Sequence, residues 1–168
     1  MAAKKESQME KTNVMRILDQ KKIAHGELSY EATGSFDGME AAQKLGQDPK
    51  QVFKTLVTIA PSKQHYVFMV PVCMSLNLKA AAKAVSEKSI EMIKAKELLP
   101  LTGYVHGGCS PIGMKKQFTT VVDESAKAYD IIYFSAGKVG HQVSCAPADL
   151  EKVVRLSYAQ VAEEQNDH

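Results

Sequence analysis

The chain has 168 residues, 45% of them hydrophobic and 24% charged, with a formal net charge of +2 at pH 7. That length suits one domain with its own core, and the balance of residue types excludes a disordered or fibrous chain. The mild positive charge argues against wholesale coating of nucleic acid but permits a local basic patch, and Cys73, Cys109 and Cys145 are too scattered for a zinc site.

Residues 1–11 are polar and charged and read as an N-terminal tail without an apolar signal core, and no later run is long enough to span a bilayer. Free thiols then fit a reducing cytoplasm. The domain is expected over 12–160, leaving 161–168 as a C-terminal tail. Thr12 can cap a helix that turns Val14, Ile17 and Leu18 to the core. A short strand around Leu28 and Tyr30 and a loop over 31–35 follow. Asp37 and Glu40 make a capping-box-like pair for a helix carrying Met39, Ala41, Ala42 and Leu45, with Gly46 placed to stop it.

Val52 to Ala60 is rich in β-formers. A period of two puts Phe53, Thr55, Val57 and Ile59 on one face and Val52, Lys54, Leu56, Thr58 and Ala60 on the other, so both faces read as buried. Pro61 to Gln64 is a turn into a second strand, His65 to Val72, and the two are expected to pair as a hairpin. Asn77 can cap a helix through Val85. A β-like run covers Ile90 to Ile93, and a helical turn from Lys96 is expected to end at Pro100.

Thr102 to Lys116 holds Gly103, Gly107, Gly108 and Gly113 with Pro111 and Ser110, the punctuation of a loop whose backbone N–H groups can turn inward on an anion or a developing oxyanion. A tight connection with no ligand is the plain alternative. Strands are expected at Phe118 to Val122, Ile131 to Ser135 and His141 to Cys145, with a short helix at Glu124 to Ala128. A glycine turn covers 136–140, and a last helix runs from Pro147 through Val154. Strands and short helices without strict alternation make the fold class α+β.

Lys54 is the sharpest chemical candidate. An ammonium between Val52 and Leu56 on an apolar face either snorkels to water at an edge or lines a cavity, where it can hold a phosphate or polarise a carbonyl. Cys109 in the glycine loop invites a nucleophile reading, against that of a small loop-filling thiol. Lys115, Lys116 and Lys138 form either a basic rim around the two glycine turns or solvated surface patches. Tyr30 and Phe36 either flank a cleft, stacking on a base or sugar, or join the core.

In order and over nearly the whole chain, Phe53-Lys54-Thr55-Leu56, Leu76-Asn77-Leu78-Lys79, Thr102-Gly103-Tyr104, the run from Gly107 to Gly113 and Ser135-Ala136-Gly137-Lys138 resemble the YbaK/EbsC family of aminoacyl-tRNA deacylases. These are related to the editing domain inserted in bacterial prolyl-tRNA synthetases. The resemblance implies a mixed sheet or barrel-like core surrounded by helices, and a free-standing enzyme of the branch that hydrolyses Cys-tRNA(Pro). It implies that Lys54, Gly107 and Gly108 are catalytic. Tyr30, Phe36, Thr55, Cys109, Ser110, Pro111, Ser135 and Gly137 would bind substrate.

The implied chemistry needs no cofactor: the substrate's own thiol attacks its ester, releasing the tRNA and a cyclic thiolactone. The implied partners are charged tRNA(Pro) and prolyl-tRNA synthetase, with neither DNA nor a membrane. Two departures stand out, since the family pattern leads one to expect arginine where this chain has His106 and Val139. A deacylase for another small aminoacyl-tRNA, such as Ala-tRNA, and a non-catalytic tRNA- or synthetase-binding module are the alternatives.

Overall fold

The computed structural model describes residues 11–33 and 38–165. Thr12 accepts a hydrogen bond from the Met15 N–H at 3.3 Å and so starts helix α1 (Asn13–Gln20). Val14, Met15 and Leu18 are fully buried on one side of it, and Ile17 packs half-buried beside them. After β1 (Gly26–Ser29) comes α2 (Gly38–Leu45). The cap expected for α2, Asp37, and the pocket candidate Phe36 lie outside the described residues. Glu40 accepts hydrogen bonds from the N–H and hydroxyl of Thr33, which ties the preceding loop to the helix.

The expected hairpin is present. Strands β2 (Phe53–Ile59) and β3 (His65–Pro71) pair antiparallel, with Lys54 opposite Val70 and Thr55 opposite Met69. Beyond β4 (Met74–Leu76), the Asn77 side chain accepts from the Ala80 N–H at 2.9 Å and caps α3 (Leu78–Ala84). Short β5 (Glu91–Met92) precedes α4 (Ala95–Thr102). This last helix corrects the expectation of a stop at Pro100, because Pro100 lies inside it. The missing N–H costs one internal bond, but the end is closed in other ways: the Thr102 hydroxyl donates to the Leu98 carbonyl at 2.7 Å and the Gly103 N–H to Leu99 at 2.8 Å.

The chain continues through β6 (Thr119–Asp123), a 3-10 turn (Glu124–Ala128), β7 (Ile132–Ser135), β8 (His141–Cys145) and α5 (Pro147–Leu150). Helix α5 is shorter than expected. The Val153 and Val154 N–H groups converge on the Leu150 carbonyl at 3.1 and 2.9 Å, so 151–154 is a turn. Two strands follow that the sequence did not announce, β9 (Leu156–Ala159) and β10 (Ala162–Glu164). β10 falls within the stretch expected to be a C-terminal tail, yet it pairs with β4, and Val161 before it is fully buried.

The main sheet has the order β5-β2-β3-β6-β9, antiparallel from β5 to β3 and parallel from β3 to β9. Its central strands are buried on both faces, which explains their near-continuous apolar sequence. Tyr66, Phe68 and Val70 face Ala81 and Ala82 of α3, whereas Met69 and Val122 face α1 and a second, three-stranded sheet of order β1-β8-β7. Each large apolar side chain fully buried this way contributes roughly 1.5–3 kcal/mol. The two sheets meet at one parallel bridge, Val52 to Tyr133. The fold is therefore α+β, with mixed sheets and five α-helices among the described residues.

Candidate active site

Strand β2 is flanked unevenly. On the side away from β3, Val52 just before it bridges to Tyr133 of β7, and its far end pairs with β5 at Thr58 and Ile59. Between these points a cavity of about 370 Å³ opens, and the consecutive residues Val52, Phe53, Lys54, Thr55 and Leu56 all line it. Neighbours on a strand point to opposite faces, so five in a row can share one wall only if the cavity wraps around the strand's unpaired edge. This explains why Lys54, Thr55 and Leu56 are half-buried rather than buried. The volume lies within the range of about 300–1,000 Å³ typical of small-ligand sites.

The glycine loop forms the facing wall through His106, Gly107 and Cys109. Its fold is local and self-supported. Lys115 N–H donates to the Thr102 carbonyl at 3.0 Å, Tyr104 donates through its hydroxyl to the Ile112 carbonyl, and the buried Ser110 hydroxyl accepts from Ile112 N–H at 3.4 Å. Gly107 has φ of +85°, a left-handed conformation that a side chain would strain. Gly108 is needed for a different reason: a Cβ there would lie 3.1 Å from the Val139 nitrogen and 3.3 Å from the Lys138 Cα. The two glycine turns are thus pressed together backbone to backbone.

The loop also sorts its own amides. Gly108 N–H donates to the Val105 carbonyl at 2.9 Å, and Gly108 does not line the cavity. The N–H groups of Gly107 and Cys109 make no hydrogen bond among the described residues. Burial pushes the Cys109 thiol up to about 12, which favours the neutral thiol over the nucleophilic thiolate. Tyr104, behind it, is also raised to about 12, first by burial and second by Cys109.

The β7–β8 turn supplies the third side. Ser135 lines the cavity, its hydroxyl oriented by accepting from the Gly137 N–H at 3.1 Å. Gly137 itself packs toward Tyr104 and Val14, outside the lining. Tyr30 reaches the cavity because its N–H donates to the Gly140 carbonyl at 2.9 Å. Of the residues expected to form the site, Tyr30, Lys54, Thr55, Gly107, Cys109 and Ser135 therefore come together in one cavity. Gly108, Ser110, Pro111 and Gly137 do not line it.

Of the two departures, His106 is on the cavity wall and Val139 is not. The side chains of Lys115 and Lys116 run elsewhere: the Lys115 methylenes cover Gly103 and the Lys116 ammonium sits 6.0 Å from the Phe118 ring centre. Thr55 Oγ1 is buried with no hydrogen-bond partner among the described residues.

Other wall residues carried no signal in the sequence. Gln142, 2% exposed, exchanges hydrogen bonds of 2.7 and 3.0 Å with Gln47, fixing the end of α2 against β8. His141 and Gln142 begin a strand whose alternation says nothing of a ligand, and Gln47 is 95 positions away. Only a polar residue forced inside a β-rich run hinted at Gln142.

The fold of this α+β domain is already seen in solved structures. One protein described only as hypothetical superposes with a TM-score of 0.81 at 22% identity, covering 89% of this chain and 99% of its own. A protein provisionally described as a trans-editing enzyme for prolyl-tRNA synthetase gives 0.75 at 23% identity, covering 89% and 96%. At that identity the likeness establishes the fold.

The family follows from the sequence itself. The chain belongs to the aminoacyl-tRNA editing domain family, whose model matches residues 36–153. It is also 44% identical, over 96% of each chain, to an Enterococcus faecalis protein provisionally named Cys-tRNA(Pro)/Cys-tRNA(Cys) deacylase EbsC.

Proposed function

We propose that the chain is a trans-editing deacylase that removes cysteine mischarged onto tRNA(Pro). The observation that carries this reading is the cavity in which Lys54 faces the glycine loop, together with membership of the editing family. Cysteine and proline are close in size, so a synthetase pocket discriminates poorly between them and a second hydrolytic site is the general remedy. A deacylase must then spare Pro-tRNA, and the thiol is the group that proline lacks.

The loop's own thiol is held protonated by burial, which leaves the substrate to bring the nucleophile. Its sulfur bonds to the ester carbonyl carbon while the carbonyl oxygen takes negative charge. The Gly107 and Cys109 N–H groups stabilise that oxyanion. The bond from carbon to the tRNA 3′ oxygen then breaks, the thiol proton passes to that oxygen, and a cyclic thiolactone leaves beside intact tRNA. Lys54 anchors the terminal adenosine or its phosphate, and Tyr30 and Ser135 hold the rest, so the enzyme contributes positioning and electrostatics. The chain meets tRNA(Pro) in company with prolyl-tRNA synthetase in the cytoplasm, and its mild net charge keeps RNA affinity local and salt-sensitive.

A deacylation panel of Cys-, Ala-, Ser- and Pro-tRNA(Pro) tests the assignment. Cys-tRNA(Pro) should be cleaved at least about a hundredfold faster than the other three. Preferential loss of alanine would make the chain an Ala-tRNA deacylase, and binding without turnover of any ester would make it a non-catalytic module.

A further inference from the structure

On the far side of β2, helix α3 and the turn after it enclose an open cleft of about 600 Å³. Lys79, Lys83 and Lys88 line it over an apolar floor that includes Ala82 and Ile90. Lys79 and Lys83 are four apart on the helix and therefore neighbours on one face, an arrangement of like charges that is mildly unfavourable without a counter-charge. None of the three ammonium groups makes a hydrogen bond or ion pair among the described residues. The one carboxylate in the cleft, Glu87, is otherwise engaged: it accepts from the Tyr66 hydroxyl at 2.6 Å and the Ser62 hydroxyl at 2.8 Å.

The cleft and the active cavity have no lining residue in common. Leu56 lines the cavity and packs against the same apolar cluster that holds Ala82 and Ile90, so one cluster backs both concavities. No arginine lines the cleft, and lysines are point charges rather than the planar forks that grip one phosphate bidentately. Spread over an open surface, they suit several phosphates of a chain.

We propose that this cleft binds the sugar–phosphate backbone of RNA, providing a second foothold for a tRNA whose charged 3′ end occupies the cavity. The proposal rests on the deacylase reading for the identity of that RNA. It explains how a chain with a net charge of only +2 holds a polyanion: the charge is local.

The test is the affinity of uncharged tRNA(Pro), measured by fluorescence anisotropy over a salt series. The proteins compared are the wild-type chain, the variant Lys79→Gln/Lys83→Gln/Lys88→Gln, and a control that loses equal charge, Lys21→Gln/Lys22→Gln/Lys152→Gln. The cleft variant should bind about tenfold or more weakly, with the slope of log affinity against log salt reduced by about 2–3, while the control stays within about twofold. In deacylation its KM should rise with kcat unchanged, and an ester of the terminal adenosine alone should react as with wild type. Unchanged affinity and slope, an equal loss in the control, or no tRNA binding by the wild type would each overturn the proposal. The binding arm needs no turnover, so it separates this failure from failure of the deacylase reading.

Discussion

At the cavity wall, Lys54 and Cys109 share a space, and the proposed function gives them different tasks. The lysine is proposed to hold substrate and the cysteine to contribute only an amide, its thiol pushed up by burial. Lys54→Ala should therefore lower kcat/KM for Cys-tRNA(Pro) by at least about a hundredfold, the scale of losing one directed charge or donor in a closed site. Cys109→Ala should stay within about threefold. A well-folded but inactive Cys109→Ala protein would return the nucleophile to the enzyme. Lys54 was legible in the sequence because an ammonium amid β-formers needs a reason. The difference between Gly107 and Gly108 was not, since one meets a cavity and the other the backbone of residues some thirty positions later.

Elements were legible where a local rule governs them. The Pro61 turn announced the β2–β3 hairpin, and Asn77 and Thr12 announced two caps. They were illegible where a distant partner decides. β10 exists because β4 offers an edge and because Asp123, 5% exposed, accepts from Val161 N–H at 3.0 Å, Ala162 N–H at 2.9 Å and Ser125 N–H at 3.2 Å. One carboxylate thus joins the end of β6 to the start of β10. Asp123→Ala leaves buried N–H groups without acceptors and should cost roughly 2–4 kcal/mol, read from the urea midpoint. A cost under about 0.5 kcal/mol would show that water replaces the carboxylate freely.

For the molecule as a whole, α1 and α3 bury the two faces of one sheet, and the cavity opens where β2 leaves its edge unpaired. No helix among the described residues is long and apolar enough to cross a membrane. Burial raises the Cys109 and Cys145 thiols from an ordinary 9.0 to about 12, with Asp149 adding to the effect at Cys145. The folded state then retains protons that unfolded thiols lose, so this stability is complete below pH 9 and is lost as the pH rises toward 12. The unfolding temperature should fall across that window, and less steeply in Cys109→Ala/Cys145→Ala; equal slopes would contradict the assignment. The substrate's thiol remains the centre of the account. Single-turnover deacylation should be compared for Cys-tRNA(Pro) and the same tRNA carrying S-methylcysteine, which keeps the ester and blocks the sulfur. Rapid release of the first and a rate near background for the second are expected; comparable rates for both would show that the substrate's sulfur is not the nucleophile.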